Sequence, residues 1–302
     1  MKIVSVDEMR RVEGVADAAG QSYSAMMDMA GQSVANIASR FVLEEPDSAV
    51  LVLVGPGNNG GDGLVAARYL LEMDHHVTVY IWKRDIKEDD NFRLLKRRRR
   101  GIAILWAEND PGFEKLREEA RKADVILDAL LGTGVTRPLD ESLSELMLAL
   151  REEVDLRRVE VDAEEGFSMG APRFPIVEAL TFDQTTSAPG AHPEDDLDEL
   201  DLGDAIWDEA FGEETPLPWL PPAIVAVDCP SGLNCDTGSF DAAGLPADIT
   251  VTFGFPKWGQ LQHPGAAACG LLAVADIGVP PQLSADLPAD LLEPDIIGRW
   301  LP

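Results

Sequence analysis

The nonapeptide GPGNNGGDG at residues 55–63 limits what this chain can fold into more than any other stretch. Ahead of it, residues 49–54 read AVLVLV, a β-branched run suited to a strand buried on both faces. Behind it, residues 64–73 are apolar at helical spacing. A strand, a glycine turn and a helix therefore follow one another directly. Five glycines in nine residues predict backbone at positive φ with its N–H groups exposed. Such groups, beside a helix N-terminus, suit an anion such as a phosphate. Asn58, Asn59 and Asp62 add side-chain oxygens, which suit a hard cation. From the residues alone the turn fits a phosphorylated ligand, a cation, or both. A tight turn without a ligand would also favour Gly and Asn.

The rest of the chain repeats this alternation. Strands are predicted over 77–82, 102–106, 125–128, 223–227 and 247–254. Helices are predicted over 7–19, 24–41, 113–122 and 141–152, with another opening near Asp89. The pattern predicts an α/β fold, a Rossmann-like three-layer αβα sandwich with a mainly parallel sheet. In such sheets the strand C-termini line one crevice. Two more of them are polar. Asp128 precedes Ala129, Leu130, Leu131 and the turn Gly132, Thr133, Gly134, Val135, Thr136, Arg137, Pro138. Asp228 opens Asp-Cys-Pro-Ser-Gly-Leu-Asn, ending at Asn234. Asp128 suits a cation or hydroxyl ligand, or an N-cap for the next turn. Asp228, with Pro230 and Gly232 after it, is aimed into the crevice, or is a plain turn-former beside Ser231.

Charge narrows the partners. The 302 residues carry a net charge of −29, which disfavours nucleic acid and anionic membranes. The basic run 96–100 reads as cations closing a helix, with Gly101 as its C-cap. Lys83 and Arg84 stand where NAD-preferring folds usually place an acid, so they suit a ribose phosphate or are solvated charges. Lys257 suits a phosphate or an ion pair. Residues 152–222 hold 20 acidic residues against three arginines, and so 17 of the 29 net negative charges. This texture predicts a solvated surface insertion, about 153–222, with one short acidic helix near 195–211. Met26, Met27 and Met29 fall near one helix face with Val34, Ile37 and Phe41, and read as core. Three cysteines without a C-x-x-C pair argue against a disulfide framework or a zinc site. No apolar stretch has signal-peptide or membrane-spanning length, so a cytoplasmic location is expected.

Taken together, G-x-G-N-N-G-G-D-G with Ala67-Arg68-Tyr69-Leu70, Asp128 with Gly132-Thr133-Gly134 and Arg137, and Asp228-Cys229-Pro230-Ser231-Gly232 with Asp236-Thr237-Gly238 resemble the NAD(P)H-hydrate epimerases, the YjeF N-terminal domain family. Met9-Arg10 with Glu13, and residues 27–31, resemble its N-terminal motifs, although Asp28 stands where Glu is more usual. The resemblance covers nearly all of residues 1–278, except the acidic insertion, which is longer than the family pattern. Residues 279–302 resemble a linker that in two-domain relatives leads to an ADP- or ATP-dependent dehydratase domain.

The resemblance implies interconversion of the R and S forms of hydrated NADH and NADPH (NADHX and NADPHX) by acid/base catalysis. It implies substrate contacts from Asn58, Asn59, Gly60, Gly61 and Asp62, from residues 132–138, and from Asp228, the candidate acid/base. It also implies a potassium ion held by Asn59, Asp128 and Ser231, and a homodimer. Two other classes compete. A non-catalytic interaction module should have lost polar loop residues that are intact here. A nicotinamide dehydrogenase would want a His or Tyr–Lys hydride-transfer group, and no such constellation is present.

Overall fold

The computed structural model describes residues 1–42, 48–98, 100–165, 177–180 and 222–291. Its elements in chain order are β1 (Lys2–Ile3), α1 (Val6–Ala18), α2 (Tyr23–Ser39), β2 (Ala49–Val54), α3 (Asn58–Glu72), β3 (His76–Ile81), α4 (Asp90–Leu95) and β4 (Ile102–Trp106). They continue with α5 (Glu114–Lys122), β5 (Val125–Ala129), α6 (Glu141–Glu165), β6 (Val177–Leu180), β7 (Ala223–Val227), β8 (Ile249–Phe253), β9 (Leu271–Ala275) and β10 (Ala289–Asp290).

Eight strands form one sheet in the order β4-β3-β2-β5-β7-β8-β9-β6, and every pairing is parallel. The central strands are apolar at nearly every position because helices cover both faces. Val50, Val52, Val54, Leu127 and Val225 pack towards α1 to α4, against Val34, Leu64 and Leu70. Leu51, Leu53, Tyr80, Ile126 and Ile224 pack on the other face against Leu116, Leu146 and Leu150 of α5 and α6. The expected three-layer αβα sandwich is therefore present. The chain runs outward from β2 to β4, then returns to the other side of β2 as β5. The order reverses between β2 and β5, the place where open α/β sheets hold their ligands.

Several elements differ from expectation. Helix α6 runs on to Glu165, well past residue 152, so the first residues of the acidic stretch are scaffold rather than insertion. The reason is a continuing buried stripe: Leu143, Leu146, Met147, Leu150 and Val154. Glu153 is buried but bonded by Arg117 and Arg121, and Arg158 bonds Asp248. β6 joins the sheet edge beside β9. The expected helix at 195–211 lies outside the described residues. The basic run follows α4 rather than closing it, since the helix ends with Lys96 as its cap. Residues 280–291, read from the sequence as tail, fold back on the N-terminus. β10 pairs antiparallel with β1, and Leu287 is buried.

Of the methionine-rich face, Met26, Val34, Ile37 and Phe41 are buried, while Met27 and Met29 are half-buried. No helix among the described residues is long and apolar enough to cross a membrane.

Candidate active site

The strand ends of β2, β5 and β7 meet below one cavity of about 1030 Å³. At the first, the glycines act differently from expectation. None of Gly55, Gly57, Gly60, Gly61 or Gly63 has a positive φ, and α3 already begins at Asn58. They are needed for close approach instead. A Cβ on Gly55 would lie 1.7 Å from the Leu130 carbonyl oxygen, and one on Gly60 would lie 2.1 Å from the Gly55 carbonyl oxygen. Gly63 lets α3 press on Ala129 of β5, 2.5 Å from where its own Cβ would be. The start of α3 is thereby sunk into the switch point. Gly57, its cap, offers no side-chain bond to the first N–H groups, which leaves them for an anion. Arg84 braces this turn, donating to the Gly55 carbonyl at 2.9 Å and the Gly57 carbonyl at 2.7 Å while pairing with Asp89 at 2.6 Å. It is neither a solvated charge nor free for a ribose phosphate. Lys83 pairs with Asp140.

At the second strand end, Asp128 is buried at the end of β5. The Ser231 hydroxyl donates to its Oδ1 at 2.6 Å and the Ser231 backbone N–H to its Oδ2 at 2.7 Å. Ser231 Oγ also accepts from the Leu131 N–H at 2.9 Å. The Asn59 amide donates to the Leu131 carbonyl at 2.9 Å. That bond orients the amide, because a flip would set two oxygens against each other. It leaves Asn59 Oδ1 buried without a partner. Burial pushes the Asp128 carboxyl above the usual carboxylate range, against its bonds from Ser231 and the Leu130 N–H. No basic side chain bonds Asp128 among the described residues. Asn59, Asp128 and Ser231 thus converge around Leu131, with one carboxylate and an orphaned amide oxygen. That donor set fits a singly charged hard cation. No cluster of three or more His, Cys, Asp or Glu side chains suited to a metal occurs among the described residues.

The third strand end carries its own cation. Asp228 follows β7 with φ 60°, left-handed backbone that Asp tolerates better than most residues. Lys257 Nζ donates to its Oδ1 at 2.7 Å, to Thr252 Oγ1 at 2.8 Å and to the Phe253 carbonyl at 3.1 Å. The Phe253 N–H and Thr252 hydroxyl also reach Asp228 Oδ1, and Gln260 holds the Asp228 carbonyl at 2.7 Å. Lys257 is therefore an ion pair, not a phosphate ligand. Burial disfavours its charge, but Asp228 outweighs this and raises it above the ordinary lysine range. The Lys257 ammonium thus gives the Asp228 carboxylate a charge-assisted hydrogen bond at 2.7 Å, which fixes its position at the cavity.

Asn58, Asn59, Asp62, Asp228 and every residue from Gly132 to Pro138 line the cavity. Gly60 and Gly61 do not; they pack the helix. Asp128 and Ser231 sit beneath the lining. Residues that sequence reasoning did not place in the site also face it: Arg10 and Glu13 of α1, and Tyr23, Met26 and Met27 of α2. Only their likeness to N-terminal motifs signalled Arg10 and Glu13. Burial, Asp228 and Glu13 push the Asp62 carboxyl well above the usual range, with Arg84 opposing.

A sequence profile described as YjeF-related protein N-terminus matches residues 23–167 and 218–259. A bifunctional NAD(P)H-hydrate repair enzyme of Hyperthermus butylicus is 34% identical over 85% of this chain and 35% of its own length. A second, from Thermofilum pendens, is 30% identical over 95% of this chain and 42% of its own. The chain thus spans about two fifths of such relatives. An NAD(P)H-hydrate epimerase of Clavibacter michiganensis is 32% identical over 78% of this chain and 74% of its own. The crystal structure of yeast YNL200c matches with a TM-score of 0.60 and 19% identity, covering 98% of both chains.

Proposed function

The chain belongs to the YjeF-related N-terminal family, and we propose that it interconverts the R and S epimers of hydrated NADH and NADPH. The observation that carries this reading is the Asp228 carboxylate. It is anchored through Oδ1 by Lys257 and lines a cavity large enough for a nucleotide.

In the substrate a hydroxyl sits on the carbon beside the nicotinamide nitrogen. Protonation of that hydroxyl lets the nitrogen lone pair expel water and leaves a cationic iminium. Water then adds to the opposite face. The free N–H groups of α3, with Arg10 and Arg137 on the lining, hold the phosphates. Asp228 stabilises the iminium charge and takes a proton from the incoming water. Lys257 and Gln260 keep its carboxylate and its left-handed backbone in place.

Asn59, Asp128 and Ser231 would hold a potassium ion, which supplies fixed positive charge that ties the three strand ends together. The orphaned Asn59 Oδ1 supports this assignment. The bifunctional relatives support a place beside a dehydratase that consumes one epimer.

The test follows a mixture of both epimers by chromatography in potassium buffer, with an ATP-dependent dehydratase draining the S form. Wild-type protein is expected to accelerate loss of the R form, and Asp228→Asn to abolish this while circular dichroism stays unchanged. Decay of the R form at its spontaneous rate with wild-type protein would remove the epimerase reading.

A further inference from the structure

Inversion at one carbon needs proton transfer on both faces of the ring, and one anchored carboxylate lies on one side of a bound substrate. Helix α1 carries another. Met9 Cε lies 2.7 Å from where a Cβ on Gly254 would be, and Arg10 Nη2 lies 3.9 Å from the same point on Gly134. α1 therefore runs from the end of β8 towards the loop 132–138 along the wall of the cavity. Glu13, one turn beyond both residues, lines the same cavity and is half-buried.

No cation bonds Glu13 among the described residues. Lys257 is bound to Asp228, Thr252 and the Phe253 carbonyl, and Arg10 pairs with Asp7 at the surface. The charged groups facing Glu13 are Arg10 on its own helix, Lys257 beyond β8, Asp228 beyond β7 and Asp62 on α3. Burial raises the Glu13 carboxyl most, Lys257 and Arg10 oppose, Asp228 adds to the rise, and the net position is above the ordinary glutamate range. Two carboxyl groups of one cavity are thus served differently: Asp228 has a dedicated lysine, and Glu13 has none among the described residues. Such different surroundings suit two carboxyl groups to different parts in proton transfer.

Building on the epimerase reading above, we propose that Glu13 is a second catalytic acid–base residue of this site. The Glu13 carboxyl gives its proton to the departing hydroxyl as the C–O bond breaks and water leaves. Water then forms a new C–O bond on the other face and releases a proton to Asp228. One proton returned from Asp228 through solvent to Glu13 resets the site. No redox change occurs. In the reverse direction the two residues exchange parts.

The experiment compares wild type, Glu13→Gln and Glu13→Asp with purified single epimers, reading kcat and KM against pH and uptake of ¹⁸O from labelled water. Glu13→Gln is expected to lower kcat by about 10²–10⁴-fold, the usual span for a lost acid–base group, with KM within about threefold. Its kcat should no longer fall as pH rises through the Glu13 titration, ¹⁸O uptake should slow in parallel, and Glu13→Asp should recover part of the rate. A Glu13→Gln kcat within threefold of wild type, or a loss that leaves the pH profile unmoved, overturns the Glu13 assignment and leaves the epimerase reading standing. Inactive wild-type protein overturns both. Carboxyl-carbon NMR gives a readout without turnover. The Glu13 signal should titrate above the ordinary glutamate range in wild type, and titration at or below it counts against the proposal.

Discussion

Asp128 and Asp228 end neighbouring strands of the same sheet, face the same region, and are served in opposite ways. Asp228 has Lys257 at 2.7 Å, a cation built into the chain. Among the described residues Asp128 has only the Ser231 and Leu130 donors, beside an amide oxygen with no partner. A tethered cation is present whatever the medium holds. The other carboxylate has no basic side chain bonded to it among the described residues. The difference sets a carboxylate served by the chain's own cation beside one that, in the proposed reading, would be served by a diffusible ion.

The sharpest way to break this contrast is Lys257→Met. It leaves the partly buried Asp228 without its cation, and removing one partner of a buried pair costs about 3–5 kcal/mol. Urea unfolding should show a loss of that size, and R-form turnover should fall at least about 10²-fold. A variant as stable as wild type would mean that Lys257 does not anchor Asp228. Asp128→Asn comes next. Wild-type protein should gain about 2.7 kcal/mol when potassium reaches about 100 times its Kd, seen as a rising melting temperature. The Asn variant should show no rise. If both proteins respond alike, the ion binds elsewhere.

Gly60→Ala probes the close seating of α3 on the glycine turn. Its new methyl meets the Gly55 carbonyl oxygen at 2.1 Å and Arg84 Nη1 at 2.8 Å, so α3 must lift. Overpacking of this kind costs about 1–3 kcal/mol. Thermal unfolding would measure it, with potassium binding weakened because Asn59 moves with the helix. The smallest expected effect is at Glu153, a buried carboxylate with two arginines and no place in the cavity.

Burial works against the Glu153 charge, but bonds from Arg121 and Arg117 prevail and hold it below the ordinary range. Its stabilisation is present above the ordinary glutamate value of 4.5 and is lost as pH falls through the lower folded value. Lys257 is the mirror case, stabilising below the ordinary 10.5 and losing that contribution as pH rises through its higher folded value. Glu153→Gln should cost about 1–2 kcal/mol at neutral pH and flatten the acid limb of stability alone. An unchanged acid limb would assign that slope to other carboxylates.

Much of the fold was legible because buried parallel strands are written as short β-branched runs. Residues 49–54, 102–106 and 223–227 match β2, β4 and β7 residue for residue. The three strand-end motifs were legible too, since polar residues right after such runs have few places to go in a doubly wound sheet. Other parts were not. Positive φ was expected at the glycine turn, yet its glycines relieve contacts with Leu130, Gly55 and Ala129, partners that only folding supplies. The end of α6 was misplaced because acidic composition hid a buried stripe continued by Val154 and steadied by Arg117 and Arg121.

By itself the sequence determined the layered α/β architecture, the three polar strand ends and the residue types they offer. These follow from local periodicity and from chemistry at element boundaries, which near neighbours along the chain decide. Only the tertiary structure decided the surroundings within that set: Lys257 claimed by Asp228, Asp128 bonded by no basic side chain among the described residues, Arg84 spent on the glycine turn, and Glu13 brought to the cavity wall by α1. The physical reason is that charge state depends on which groups lie within a few ångströms in low dielectric. Residues far apart in the chain, such as Glu13 and Asp228, become electrostatic neighbours only when the sheet closes.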